Sequence, residues 1–290
     1  MKSLLEYLKE ADEKKTAVGH FNISDIAALK AIFESARKLD LPIIIGVSEG
    51  EREFVGVSQV AALVSSLRQE YNYPVFLNAD HTHSLDKVKE VAMADFDEII
   101  FDNSNLSLEE NIKNTKEAVA LAKSINPNIV IEGEIGFIGT SSEVMDKVPE
   151  GLELTKPEDA KRYMQETGVN VLAPAVGNMH GLLKSMVSGG VQKRLHIDLI
   201  KQIKEATGGK FMTLHGGSGT ADEDFVAAIK AGMTIVHVNT EIRIAWRKGV
   251  EQAFSQHPEE VAPYKILPVA VTEIRKVVEN RLHLFNSTSQ

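Results

Sequence analysis

The stretch PVFLNADHTHS (74–84) ends an apolar run in one carboxylate and two imidazoles: Asp80, His81 and His83. His180 in GNMHG, His215 in LHGGSG and His237 in VHVNT also stand where apolar runs give out, and Glu132 and Glu134 do so in IEGEIG. Three neutral imidazoles with one position left open form a common catalytic zinc arrangement. Any one of these histidines read alone is a hydrogen-bonded loop residue. Read together, His81, His180 and His215, with Asp80 and Glu134 beside them, form a metal site if the fold brings them to one place. His83 has two readings. It is a partner of His81 in a His-x-His metal pair, or a support residue just ahead of Ser84, which reads as the N-cap of a helix over Leu85–Met93.

A second kind of chemistry is written in LHGGSGTADEDF (214–225), which reads as strand, glycine-rich turn and helix. Gly216, Gly217 and Gly219 allow backbone N–H groups to approach an anion, and a helix N-terminus favours negative charge. VHVNTEIR (236–243) repeats the arrangement, with Asn239 and Thr240 at its turn, and GNMHGLLK (177–184) adds Gly181 and Lys184. Simple turn chemistry would also explain the glycines. The three stretches together point to a phosphate site.

These residues need a scaffold that gathers strand ends. Strands are expected at Thr16–Phe21, Pro42–Val47, Pro74–Asn78, Glu98–Asp102, Asn128–Glu132, Val171–Pro174, Phe211–Leu214 and Thr234–Val238, with amphipathic helices between them, such as Asp25–Leu39, Leu108–Ser124 and Asp222–Ala231. Asp25 and Asp222 stand where N-caps are expected. Near-continuous apolar strands are buried on both faces, as in parallel sheets. Eight such units in one block predict an α/β fold, a closed (β/α)8 TIM barrel over residues 1–290, with extra N-terminal and C-terminal helices. An open doubly wound sheet is the rival. In a barrel, chemistry gathers at the C-terminal ends of the strands. Ser48, Asp80, His81, Asp102, Glu132, Glu134, His180, His215 and His237 are all expected there.

Composition narrows the function. The 290 residues contain no cysteine, so disulfides and thiolate ligands are excluded and a metal must sit on His, Asp or Glu. The net charge of −9 argues against nucleic-acid binding as the main role. No run approaches the length of a membrane span, and the N-terminal MKSLLEYLKEADEKK reads as an amphipathic helix rather than a signal peptide. A cytoplasmic location is the expectation.

The motifs NADH, IEGEIGFIG, GNMHG, LHGGSG and NTEIR, in this order and across nearly the whole chain from AVGHFNISD onward, resemble the class II, metal-dependent ketose-bisphosphate aldolases that act on fructose or tagatose 1,6-bisphosphate. The resemblance implies a lyase that reversibly cleaves a ketose 1,6-bisphosphate, foremost fructose 1,6-bisphosphate, to dihydroxyacetone phosphate and an aldehyde such as glyceraldehyde 3-phosphate. It implies one catalytic Zn2+ on His81, His180 and His215, with Glu134 as an alternative ligand; a monovalent cation is a further candidate. Asp80 is similar to the family's proton shuttle. Glu143, in GTSSEV, is the nearest match to its loop glutamate. Gly181, Lys184, Gly216, Gly217, Ser218 and Thr240 fall where the family holds a phosphate. A homo-oligomer, dimer or tetramer, is implied as well. Two positions depart from the pattern. Asn78 stands where the family has His, and His237 stands where it has an Asn that contacts the substrate, with Asn239 two residues on.

A retro-aldol needs an electron sink, either a lysine Schiff base or a Lewis-acid metal. The histidines favour the metal. Two other readings remain at this level: a metal-dependent hydrolase using His81 and His83, and a metal-free phosphate-binding barrel.

Overall fold

The computed structural model describes residues 2–139, 142–187 and 189–287. Eight parallel strands close into a barrel: Val18–Asn22, Ile43–Val47, Val75–Thr82, Glu98–Phe101, Val130–Ile135, Val171–Pro174, Phe211–Leu214 and Met233–Val238. The first strand pairs with the eighth, and His20 lies directly opposite His237. The expected barrel is therefore the observed one, and the open sheet is excluded.

Two boundary differences bear on the site. The fifth strand starts at Val130 rather than Asn128, because Asn128 donates its N–H to the Asn126 side chain in a turn (3.0 Å). Glu132 and Glu134 thus lie within the strand, two residues apart on one face. The third strand runs on to Thr82, past the expected end at Asn78, and its pairing to the fourth strand shifts between Ala79 and Thr82. That irregularity contains Asp80 and His81.

Helices cover the outside of the barrel. Asp25 caps Ile26–Leu39 by accepting the Ala28 N–H (2.8 Å), and Ser84 caps Leu85–Ala92. The helix Asp222–Ala231 is capped by Ala221 instead of Asp222, so Asp222 joins Glu223 and Asp224 in an acidic first turn, which complements the helix dipole. The N-terminal helix Leu4–Lys14 opens with a capping box between Ser3 and Glu6. Its Leu4, Leu8 and Ala11 pack with Val18, Ile44, Phe76, Val130, Val171 and Ile235, plugging the end of the barrel where the strands begin. The tail forms one long helix, Pro263–Asn286, against Ile26–Leu39 and Thr240–Gln256. No described helix is long and apolar enough to cross a membrane.

Candidate metal centre

The bulged end of the third strand answers how adjacent residues can face one space. In a regular strand, Asp80 and His81 would point to opposite faces. A bulge re-aims one side chain, and here His81 takes a left-handed backbone conformation, φ 45°. Such a conformation in a non-glycine residue costs free energy and is held in place by its surroundings. Arg52, 2% exposed, supplies that hold: its guanidinium donates to the Asp80 carbonyl (3.1 Å) and the Thr82 hydroxyl (3.2 Å).

Both Asp80 and His81 therefore reach the barrel mouth, where His180 and His215 meet them. The ring centroids lie 4.8 Å (His81–His180), 5.0 Å (His81–His215) and 5.8 Å (His180–His215) apart. One ligand atom from each falls within 4.8 Å of the others. Each ring has one nitrogen committed. His81 Nδ1 pairs with Asp102 at 2.9 Å, His180 Nδ1–H donates to the Gly139 carbonyl at 2.7 Å, and His215 Nε2 pairs with Glu132 at 2.6 Å. Such partners fix the tautomer and orientation of metal-ligating imidazoles. His81 Nε2, His180 Nε2 and His215 Nδ1 remain to converge. The buried His215 Nδ1, Glu134 Oε2 and Asp80 Oδ1 have no hydrogen-bond partner. Orphaned polar atoms in a buried site are costly, and a dication would satisfy His215 Nδ1 and Glu134 Oε2 together. The residues fit a metal.

The charges agree. Burial pushes His180 and His215 down to about 3, so both are neutral and able to ligate. Burial opposes protonation of His81 too, but Asp80 and Asp102 outweigh it and hold that ring up at about 10. A metal takes the place of the proton, so binding releases it. Burial pushes Glu134 well above the usual carboxylate range, with Asp102 adding to it. Burial also acts on Asp80, where the charged His81 beside it prevails, helped by the Asn22 hydrogen bond, and keeps it ionised. Glu132, pushed up to about 8 by burial, shares a proton with His215 and is also bonded by Thr213. Glu132→Gln is expected to weaken metal affinity by about 10–100-fold while leaving the fold intact, as read by a competitive chelator titration.

The remaining expected residues separate. Asn22, Asp80, His81, Ser142, His180, Gly181, Gly216, Ser218, His237, Asn239 and Thr240 line one cavity at the strand ends. Glu143 stands at its outer mouth with Ser48, Glu49, His83 and Arg243. The preceding residues 140 and 141 of its loop lie outside the described residues. Gly217 spends its N–H on the His237 carbonyl (3.1 Å), and a Cβ there would meet that oxygen at 2.6 Å, so it is a close-packing glycine. Lys184 is two-thirds exposed and pairs with Asp146 at 2.8 Å. His83 is exposed, with its Nδ1 on the Asp102 carbonyl (2.8 Å) and its N–H on Glu49. Asn78 lies one layer below Asp80, donating to Glu98 at 2.6 Å, and does not line the cavity.

Several site residues escaped the sequence reading. Asn22 donates to both Asp80 (2.8 Å) and Glu51 (2.8 Å). His20 stacks on His237 at 3.5 Å, and His237 stacks on His215 at 4.2 Å. Gly46 makes room for His20, since a Cβ there would meet the ring at 2.1 Å. None of these carries a motif. The register of the first and eighth strands brings His20 and His237 together.

Fold and site thus define a closed parallel barrel with a candidate metal centre at the C-terminal ends of its strands. The class-II fructose-bisphosphate aldolase family model matches residues 2–290. A probable fructose-bisphosphate aldolase of Bacillus subtilis is 32% identical over 99% of this chain and 98% of its own length, and the Geobacillus stearothermophilus fructose-bisphosphate aldolase matches equally well. The crystal structure of a putative fructose-1,6-bisphosphate aldolase from Coccidioides immitis superposes with a TM-score of 0.84 at 26% identity, covering 98% of this chain and 96% of that one. The chain belongs to the class-II fructose-bisphosphate aldolase family. It is a carbon–carbon lyase.

Proposed function

We propose that this enzyme cleaves fructose 1,6-bisphosphate to dihydroxyacetone phosphate and glyceraldehyde 3-phosphate, with Zn2+ held by His81 Nε2, His180 Nε2 and His215 Nδ1. The observation that carries the reading is the convergence of three imidazole nitrogens beside an ionised Asp80 in one cavity with the glycine loops. A zinc ion held there would supply a Lewis acid for the negative charge that develops on the substrate's ketone oxygen.

The protein's own residues do the rest. Asp80 is positioned by Asn22 to take the C4 hydroxyl proton as C3–C4 breaks. Glu134 sits 3.3 Å from His215 Nδ1 and is the alternative ligand. Gly181, Ser218 and Thr240 hold the first phosphate; Thr240 opens the helix Thr240–Gln256, whose N-terminus faces the cavity. His237 and Asn239 both line the cavity, so the family's missing asparagine has a substitute within reach. Glu143 at the mouth is the candidate for the enediolate proton. For the second phosphate Arg243 is favoured: it stands at the mouth, paired with Glu51 at 2.7 Å, whereas Arg281 is committed to Glu241 and Asp222 and Arg247 to Glu251. Phe54, 80% exposed, is a large apolar side chain of the kind an oligomer covers.

A panel of ketose phosphates, with fructose and tagatose 1,6-bisphosphates side by side and released dihydroxyacetone phosphate measured by a coupled assay, tests the substrate. Preference for fructose supports the reading, and exclusive cleavage of tagatose bisphosphate contradicts it. His83→Ala is expected to retain zinc and His81→Ala to lose it. Loss of zinc from His83→Ala would revive the hydrolase pair.

A further inference from the structure

One buried cation belongs to none of these roles. Lys193 is 4% exposed, and its amine donates to three backbone carbonyls: Met179 (2.7 Å), Gly181 (2.7 Å) and Gly216 (2.9 Å). The first two flank His180, and the third follows His215. Among the described residues the amine meets carbonyl oxygens and no carboxylate; nearby Glu241 is occupied by Arg281 and by the Gly219 N–H. Three acceptors match the three N–H donors of an ammonium, whereas a neutral amine would turn a lone pair on one of them. Burial pushes Lys193 down to about 7 against the opposing charge of Glu241. Three converging carbonyl oxygens around a single charge make the coordination shell of a desolvated monovalent ion.

We infer that the Lys193 ammonium is a tethered monovalent cation, locking the His180 and His215 loops together beside the phosphate-binding cavity and making a free alkali or ammonium ion unnecessary there. The tether is anchored at both ends. The Lys193 N–H donates to the Gly219 carbonyl (2.9 Å), and the Lys193 carbonyl accepts from Ala221 (3.3 Å). The cage is also tight: a Cβ on Gly216 would meet the Met179 carbonyl oxygen at 2.2 Å, so the two loops touch backbone to backbone, and the three carbonyl oxygens gathered around one amine would repel one another without a cation between them. Its charge beside Gly181, Gly216 and Ser218 also favours a bound phosphate dianion. Lys193 is a positioning residue that acts through these loops. The inference deepens the aldolase reading and rests on it for its kinetic arm.

The test compares the unsubstituted protein with Lys193→Ala in potassium, ammonium or tetramethylammonium chloride at equal ionic strength. The unsubstituted protein is expected to turn over at the same rate, and to melt at the same temperature, in all three salts. Lys193→Ala is expected to lose about 10- to 100-fold in kcat/KM in tetramethylammonium. Ammonium or potassium should restore much of the loss and raise the variant's melting temperature by several degrees, because small cations can enter the vacated cage. Activation of the unsubstituted protein by potassium or ammonium overturns the inference. So does a folded, zinc-loaded Lys193→Ala that neither salt rescues or stabilises. If the variant folds only in ammonium or potassium, that dependence supports it; if it folds in no salt, the salt response of the unsubstituted protein decides. The melting arm needs no turnover, so failure of the aldolase reading and failure of this inference are told apart.

Discussion

Asp80→Ala is expected to keep its zinc and lose cleavage by about 10²–10⁴-fold, the usual contribution of a positioned acid–base group. Asp80 is not one of the three imidazole ligands. Its ionised carboxylate has one oxygen held by Asn22 (2.8 Å) and the other buried without a partner, 3.7 Å from both His81 Nε2 and His237 Nδ1. That orphaned oxygen is the one available to a substrate hydroxyl. Zinc content by elemental analysis and kcat by the coupled assay separate the two functions in one preparation. Full turnover by Asp80→Ala, or loss of zinc in step with loss of activity, contradicts the assignment.

His180→Ala is expected to be at least as damaging, but for a different reason. His180 reaches the site from a loop, and its orientation rests on the bond to Gly139, so truncation removes a ligand without opening the barrel core. A Lewis acid contributes several kcal/mol of transition-state stabilisation, so kcat should fall by about 10³-fold or more. Excess zinc should recover part of it, in contrast to Asp80→Ala. Unchanged zinc affinity in a folded His180→Ala would remove this residue from the centre.

The barrel was legible because parallel strands are buried on both faces and write themselves as apolar runs. Val171–Pro174 and Phe211–Leu214 stand where they were expected. The candidate metal ligands His81, His180 and His215 are legible because they interrupt such runs. Local geometry was not. Nothing in NADHTH announces that pairing slips after Ala79 and swings Asp80 and His81 into one space, since a bulge depends on the partner strand and on Arg52 rather than on local residue types. His20 looked like one more residue of an apolar strand; only barrel closure sets it opposite His237. Lys193 sits in a polar loop sequence, VQKRLH, that reads as solvent-facing. Its burial is a product of two loops folding over it. Asn78, by contrast, stands out in the sequence as a departure from the family pattern, yet it lies beneath the site, bonded to Glu98.

The central claim is that cleavage depends on a metal held by His81, His180 and His215. The most direct measurement is the release of dihydroxyacetone phosphate from fructose 1,6-bisphosphate by the purified protein, before chelation, after removal of metal, and after stoichiometric return of zinc. About one zinc per chain, loss of activity on chelation and recovery on return of zinc are expected. Full cleavage by protein shown to be metal-free would contradict it.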